Sequence, residues 1–398
     1  MTEAKRLLSS TNDKMGVIAE MVGMEDPTYF SKLFKQIEGI SPIEYLENCQ
    51  PESSITRRGM NMKTTIYDVA KAAGVSITTV SRVINNTGRI SDKTRQKVMN
   101  VMNEMAYTPN VHAAALTGKR TNMIALVAPD ISNPFYGELA KSIEERADEL
   151  GFQMLICSTD YDPKKETKYF SVLKQKKVDG IIFATGIESH DSMSALEEIA
   201  SEQIPIAMIS QDKPLLPMDI VVIDDVRGGY EAAKHLLSLG HTNIACIIGD
   251  GSTTGEKNRI KGFRQAMEEA GVPIDESLII QTRFSLESGK EEAGKLLDRN
   301  APTAIFAFND VLACAAIQAA RIRGIKVPDD LSIIGFDNTI LAEMAAPPLT
   351  TVAQPIKEMG RSVIELLAEA IEGKRKAKQK IVLPPELVVR HSTSPHNT

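Results

Sequence analysis

At 398 residues the chain has room for two or three domains and a large core. Its 42% hydrophobic and 25% charged residues are those of a globular protein, and no run of about 18 apolar residues suits a membrane span. The net charge of −6 hides an asymmetry: residues 62–120 carry nine Lys or Arg against three acids, so only that stretch attracts a polyanion. The start, Met-Thr-Glu-Ala-Lys-Arg, lacks the basic-then-apolar layout of a signal peptide, and a cytoplasmic protein is expected. Four dispersed cysteines (49, 157, 246, 314) are expected as reduced thiols. The histidines show no ligand spacing, so neither metal nor cofactor is expected.

Residues 17–46 suggest one helix-turn-helix. Ile18-Ala19 and Val22-Gly23 form a first helix and turn; Tyr29-Phe30, Leu33-Phe34-Lys35 and Gly39 with Ser41-Pro42 form a second helix and its exit. This stretch resembles the last motif of AraC/XylS-type regulators. That family joins two such motifs by a long helix, and here there is only one. Residues 1–61 are therefore expected as an upstream remnant or an over-long start, because Met62 precedes the next motif and Arg57-Arg58-Gly59 codons suit a ribosome-binding site. The alternative is a fusion with a second, weaker DNA contact. Intact mass of the native protein separates the two.

Residues 63–85 predict two short helices around a tight turn. Val69, Ala70 and Ala73 form the first apolar stripe, Gly74 makes the turn, and Ser76 caps a second helix facing inward through Val80, Val83 and Ile84. Ile77, Thr78, Thr79, Ser81 and Arg82 are left pointing outward, on the face a helix-turn-helix inserts into the major groove. A third helix starts at Ser91 and runs to about Met105, with Val98, Val101 and Met105 on one side. Residues 110–116 make only about two turns of helix, marginal in isolation.

From Met123 the pattern alternates strand and helix. Strands are expected at 124–128, 154–157, 180–184 and 205–209, then at 244–248, 278–281, 303–308 and 331–336. Helices are expected around 137–150, 164–176, 192–202, 257–270, 286–298 and 311–323. Two such halves imply two lobes, each a parallel sheet covered on both faces, with a ligand cleft at the carboxyl ends of the strands. A tail helix at 356–372 and strands at 381–383 and 387–390 are expected to cross between the lobes and complete both.

These motifs together resemble the LacI/GalR family of bacterial transcription regulators. The resemblance rests on Thr65-Ile66-Tyr67-Asp68-Val69-Ala70, Thr79-Val80-Ser81-Arg82-Val83, Tyr107-Thr108-Pro109-Asn110, Asn133-Pro134-Phe135, Val178-Asp179-Gly180, Leu239-Gly240-His241, Phe308-Asn309-Asp310 and Gly335-Phe336-Asp337, in this order from about 62 to 390. It implies an α + α/β protein: a small all-α headpiece (62–109), a hinge helix and linker (110–121), and a two-lobed, periplasmic-binding-protein-like core with parallel sheets (122–398). The lobes are expected at about 122–222 with 353–372, and 223–350 with 374–390. By position, Thr65, Tyr67, Ser76, Ile77, Thr78, Thr79, Ser81, Arg82, Asn85, Asn110, Ala114 and Leu116 would contact DNA. Leu116 is the hinge wedge in the minor groove; Ala114 stands where the family often has Arg. Phe135, Tyr136, Arg259, Asn309 and Asp337 would hold an effector: a sugar, nucleobase or phosphorylated metabolite. The bland reading of Asn133-Pro134-Phe135 is a turn and helix start, and of Asp337 a loop cap. The implied partners are a palindromic duplex operator and a second copy of the chain; a protein coeffector stays open.

Two rivals are weighed. Gly249-Asp250-Gly251 through Gly255 looks like a dinucleotide loop, but its GxGxxxG spacing and the lack of a following ribose-binding acid argue against an enzyme. A transporter's solute-binding protein shares the core, but that role needs export.

Overall fold

The computed structural model describes residues 2–10, 15–24, 26–42, 45, 64–84, 88–107, 120–184, 190–210, 218–249, 251, 253–375 and 377–396. The chain divides into two units, Met1–Pro109 and Asn110–Thr398.

The first unit holds two small helical clusters. In the earlier one, α1 (Thr2–Ser10), α2 (Met15–Met21) and α3 (Pro27–Glu38) bury Ala4, Leu8, Ile18, Ala19, Phe30 and Phe34. Asp26 caps α3 by accepting from the Thr28 amide at 2.8 Å, and Gly39, with φ 78°, ends it. Phe30 and Phe34, one turn apart, put Thr28, Tyr29, Lys32, Lys35 and Gln36 on the exposed face.

The second cluster comprises α4 (Ile66–Ala73), α5 (Ile77–Ile84) and α6 (Asp92–Glu104). Val69, Ala70, Ala73, Val80 and Val83 are buried as expected. On α6 the stripe differs: Val98 and Met102 are buried, whereas Val101 and Met105 are half-buried. An i, i+4 pair lies along one face, and the crossing of α4 and α5 selects that face.

The second unit contains two six-stranded sheets. The first runs β11-β5-β4-β3-β1-β2 and the second β12-β10-β9-β8-β6-β7. In the first, β1 (Met123–Ala128), β2 (Gln153–Ser158), β3 (Gly180–Phe183), β4 (Ile206–Ile209), β5 (Asp219–Ile223) and β11 (Lys380–Leu383) are all parallel. In the second, β6 (Ile244–Ile248), β7 (Ile279–Gln281), β8 (Ala304–Ala307), β9 (Ser332–Asp337) and β10 (Thr350–Ala353) are parallel, while β12 (Glu386–Val388) pairs antiparallel to β10. Central strands such as β3, β4 and β8 are buried throughout, because helices cover both faces. The covering helices of the first lobe are α7 (Pro134–Glu149), α8 (Pro163–Lys176) and α9 (His190–Ser201). Those of the second are α10 (Asp225–Ser238), α11 (Thr254–Glu269), α12 (Leu286–Arg299), α13 (Asp310–Ile322) and the short α14 (Ile340–Met344). The tail helix α15 (Ile356–Glu372) packs on α7 and on β3, β4 and β5.

Several features depart from the sequence reading. The elements β5, α10, β10 and α14 are absent from it. The range 374–390, expected in the second lobe, is divided: β11 pairs with β5 in the first sheet and only β12 joins the second. Residue 353, expected in the first lobe, closes β10 in the second. The chain thus crosses between lobes after β5, after β10 and after β11. Asp219 ties down the segment between α15 and β11, accepting from the Arg375 guanidinium at 2.8 Å and from the Gln379 amide at 2.9 Å. The expected hinge helix, with Asn110, Ala114 and Leu116, and also Asn85, lies outside the described residues.

The C-terminal segment fastens the second sheet through His241. The imidazole Nε2–H donates to the Ser394 carbonyl at 3.0 Å, leaving Nδ1 to accept from the Thr303 hydroxyl at 3.0 Å. Burial lowers the His241 pKa below its ordinary value, and the neighbouring His396 adds to the effect. A depressed histidine contributes stability above its unfolded pKa of about 6.5 and loses it as the pH falls through the depressed value. We expect melting temperature to fall more steeply between pH 7 and pH 5 in the parent than in His241→Gln. Parallel curves would show that this ring titrates as it does in the unfolded chain.

Candidate DNA-reading helix and effector cleft

Local sequence sets the reading helix. Thr65 caps α4 in a reciprocal arrangement: the Asp68 amide donates to the Thr65 hydroxyl oxygen at 3.4 Å, and the Asp68 carboxylate accepts from the Thr65 amide at 2.8 Å. The Thr65 hydroxyl also donates to that carboxylate at 2.5 Å, and this bond, with the one from the Thr65 amide, lowers the Asp68 pKa. Gly74, with φ 63°, ends the helix where a Cβ would be strained. Ser76 caps α5, accepting from the Thr79 amide at 3.1 Å, and the two hydroxyls lie 2.9 Å apart.

The expected contact residues therefore fall into two groups. Thr65, Ser76 and Thr79 hold helix ends. Tyr67, Ile77, Thr78 and Arg82 are exposed, Tyr67 by 67%, and Ser81 is half-buried. The Arg82 stem lies against Gly88, 3.4 Å from where a Cβ would stand, so its flank is supported while its charged end is exposed.

In the second unit, candidate cleft residues follow the carboxyl ends of strands: Asp130 after β1, Tyr161 after β2, Ser210 after β4, Phe284 after β7, Asn309 after β8 and Asp337 at the end of β9. This is where parallel α/β sheets bind ligands. Arg259, on α11, donates through Nε to Asp225 at 2.8 Å and through a terminal nitrogen to the Phe308 carbonyl at 2.5 Å. Its guanidinium carbon stands 3.6 Å from the centre of the Phe336 ring. Asp337 is buried at φ 111°, a strained conformation for a residue with a side chain, and accepts from the Gln354 amide group at 2.7 Å. Burial drives its pKa well up, Arg259 opposes this, and Asp310 reinforces it. Asp310 is itself pushed up to about 6 by burial, against hydrogen bonds from Thr351 and Thr339.

The aromatic residues divide differently from expectation. Phe135 is buried in the core, edge-on to Tyr136 with centroids 5.0 Å apart. Tyr136 is the half-buried one, beside Tyr161; burial raises its pKa, and Asp337 adds to the rise. Tyr161, from the first lobe, stacks on Phe284 of the second at 6.3 Å and 23°. Asn133 caps α7 by accepting from the Phe135 amide at 3.1 Å, so the helix-start reading holds for it. Asn309 caps α13, accepting from the Leu312 amide at 2.8 Å. Sequence reasoning missed Tyr161, Phe284, Asp225 and Gln354. Position just beyond a strand's carboxyl end was the signal available for the first two. Near this edge a cavity of about 550 Å³ is lined by Asp130, Asn133 and Pro134 of one lobe and by Phe284, Val311 and Leu341 of the other. Cys314 also lines it, its thiol pushed up to about 11 by burial. Among the described residues, the hydroxyls of Thr159 and Ser210, just beyond β2 and β4, are buried without a hydrogen-bond partner.

A helical reading unit followed by a two-lobed core defines a ligand-controlled DNA-binding regulator, and comparison with known proteins agrees. Residues 65–110 match the family "Bacterial regulatory proteins, lacI family", residues 233–393 match "Periplasmic binding protein-like domain", and residues 8–47 match "Bacterial regulatory helix-turn-helix proteins, AraC family". The chain is 96% identical over 337 residues to the HTH-type transcriptional regulator DegA of Bacillus subtilis (strain 168), covering 85% of this chain and 100% of that protein. It is 35% identical over 336 residues to the HTH-type transcriptional repressor PurR of Photobacterium profundum, covering 84% and 99%. Among solved structures, the Lac repressor dimer bound to operator and the anti-inducer ONPF is similar at 28% identity and a TM-score of 0.74, covering 83% of this chain and 99% of that one. A complex of the regulator CelR with cellobiose is similar at 31% and 0.64, with the same coverage. The chain belongs to the LacI family of bacterial transcriptional regulators; it is a DNA-binding protein and not an enzyme. Among the described residues, no helix is long and apolar enough to cross a membrane.

Proposed function

We propose that this chain is a cytoplasmic, homodimeric repressor that reads a palindromic operator through α5 and is controlled by a small molecule held between the lobes of its core. The observation that carries the reading is the division of α5: Val80 and Val83 are buried while Ile77, Thr78 and Arg82 are exposed on the cationic stretch of the chain. Leu116 and Ala114 keep the minor-groove contact that the family resemblance implies.

Tyr136, Tyr161, Phe284, Arg259 and Asp337 are the proposed effector contacts, and Asn309 shapes the cleft by holding α13. Arg259 is paired with Asp225 and spent on the Phe308 carbonyl, while Asp337 adds a second carboxyl. That balance favours an uncharged sugar or nucleobase over a phosphorylated metabolite. The effector must favour one lobe arrangement to change operator affinity, and operator then changes effector affinity by the same factor.

The alternative to a remnant or over-long start, a second, weaker DNA contact through α3, is supported by Tyr29, Lys32, Lys35 and Gln36, which share an exposed face on a cluster with its own core. One gel-shift series tests both. A dimer making about 8 phosphate contacts should show a log–log salt slope near −7. Changing Lys32 and Lys35 to Glu should make the slope shallower by about 2 per protomer. No shift at low salt defeats the regulator reading, and an unchanged slope defeats only the second contact.

A further inference from the structure

The end of the linker is held to the first lobe by one carboxylate. Asp179 accepts from two consecutive backbone amides, Thr121 N–H at 3.1 Å and Asn122 N–H at 2.6 Å, immediately before β1. Its own amide donates to the Met123 carbonyl at 2.7 Å, closing the loop between β1 and β3. The Thr121 hydroxyl donates to the Lys177 carbonyl at 2.9 Å, where Lys177 takes a left-handed conformation at φ 53°. One residue earlier, Arg120 donates to the Ile371 carbonyl at 2.5 Å, in the last turn of α15. A cation there also complements the negative end of the helix.

These contacts lie at the amino ends of the strands, the opposite edge of the sheet from the effector cleft. The helix they grip starts at a lobe crossover: the chain leaves β10 in the second lobe, passes Gln354, whose side chain holds Asp337, and enters α15 in the first. Seventeen residues of helix span about 25 Å. Near its far end, Ile371 and Leu367 pack on Gly180, where a Cβ would stand 2.9 and 3.0 Å from their methyl groups. One rigid element thus joins the crossover beside a cleft carboxylate to the residue where the linker meets the core.

We propose that Asp179, with the carboxyl end of α15, is a positioning anchor that sets the direction in which the linker leaves the core, and through it operator selectivity. This rests on the regulator reading above. The anchor touches no DNA; its loss leaves the headpiece intact but lets the linker leave in many directions, so that two headpieces match one palindrome less often. Coupling from the cleft runs through α15 in the same way, since a tilt of that helix moves the Ile371 carbonyl and Arg120 with it.

The test uses the full chain with Asp179→Ala, Asp179→Asn and Arg120→Ala. Each is measured against a duplex selected by the parent from a random pool, against a random duplex of equal length, and by thermal melting. Asp179→Ala should lower affinity for the selected duplex at least tenfold, while random-duplex affinity stays within about threefold and the melting temperature holds. Asp179→Asn, which keeps one acceptor, should fall between it and the parent. Arg120→Ala changes only an exposed side chain, so it should reproduce the loss without any folding defect, though its lost charge also weakens random binding slightly. Unchanged selected-to-random ratios in Asp179→Ala and Arg120→Ala overturn the anchor. So does a loss in Asp179→Ala that tracks a lower melting temperature while Arg120→Ala stays selective. A parent that selects no duplex defeats the regulator reading itself, and the anchor with it.

Discussion

Arg82→Ala should abolish most of the preference for operator over random duplex while leaving the headpiece folded. The side chain is exposed on α5 and outside the cluster formed by Val69, Ala73, Val80, Val83 and Val98, so its loss opens no cavity. What disappears is a fork of N–H donors suited to the O6 and N7 acceptors of guanine, worth about 1–3 kcal/mol of discrimination in each half-site. A symmetric dimer doubles that to about 2–6 kcal/mol, a loss of selectivity of at least tenfold. Arg82→Lys separates charge from geometry: it keeps the phosphate attraction but not the paired donors, so random-duplex affinity should survive and selectivity should not. Competition between the two duplexes in one gel shift measures the ratio directly. If the alanine variant discriminates as well as the parent, Arg82 does not read a base.

Gly262→Ala should destabilise the core by about 3 kcal/mol or more, beyond the usual range for an extra methyl group in a packed interior. A Cβ at Gly262 would stand 1.9 Å from the Val226 carbonyl oxygen and 2.7 Å from the Tyr230 nitrogen, both backbone atoms of α10. The contact is reciprocal, because a Cβ at Gly229 on α10 would stand 2.0 Å from the Arg259 carbonyl on α11. Neither backbone can step aside as a rotamer can, so the two helices must separate. Arg259 is carried by one of them and its partner Asp225 begins the other, so the change should also disturb the cleft. A melting temperature lower by about 5–10 °C is expected. Gly137→Ala is the control: in α7 its Cβ would meet only the Ile131 carbonyl oxygen at 3.8 Å, and helix propensity favours alanine by about 0.5–1 kcal/mol. Equal melting temperatures for the two variants would show that α10 and α11 are free to adjust.

Much of this was legible beforehand because it is local. Val69, Ala70 and Ala73 lie within one turn of each other, Gly74 needs a positive φ, and Ser76 and Ser91 precede helices they cap; each rests on near neighbours in the chain. The helix 356–372 was placed to the residue and the other expected core helices to within three, since sustained periodicity is the strongest pattern a chain carries. The strand β5 escaped notice because Asp219–Ile223 is a five-residue run with no alternation to mark it.

The effector cleft was legible only in part. Arg259 and Asp337 were reached only through the family resemblance, by position. Tyr161 and Phe284 lie 123 positions apart and meet only because each follows a strand in a different lobe. Phe135 and Tyr136 were indistinguishable as neighbours until the turn of α7 sent one ring into the core and left the other beside Tyr161.

By itself, then, the order of residues determined the helix-turn-helix, the two βα halves and the regulator they compose, because caps, turns and apolar periods act over a few residues. Which strand completes which sheet, which aromatic rings meet and what holds the linker's end were decided by tertiary structure alone. Those outcomes depend on the packing of segments far apart in the chain, such as β11 on β5 and Arg120 on Ile371, and no short-range pattern encodes a distance between them.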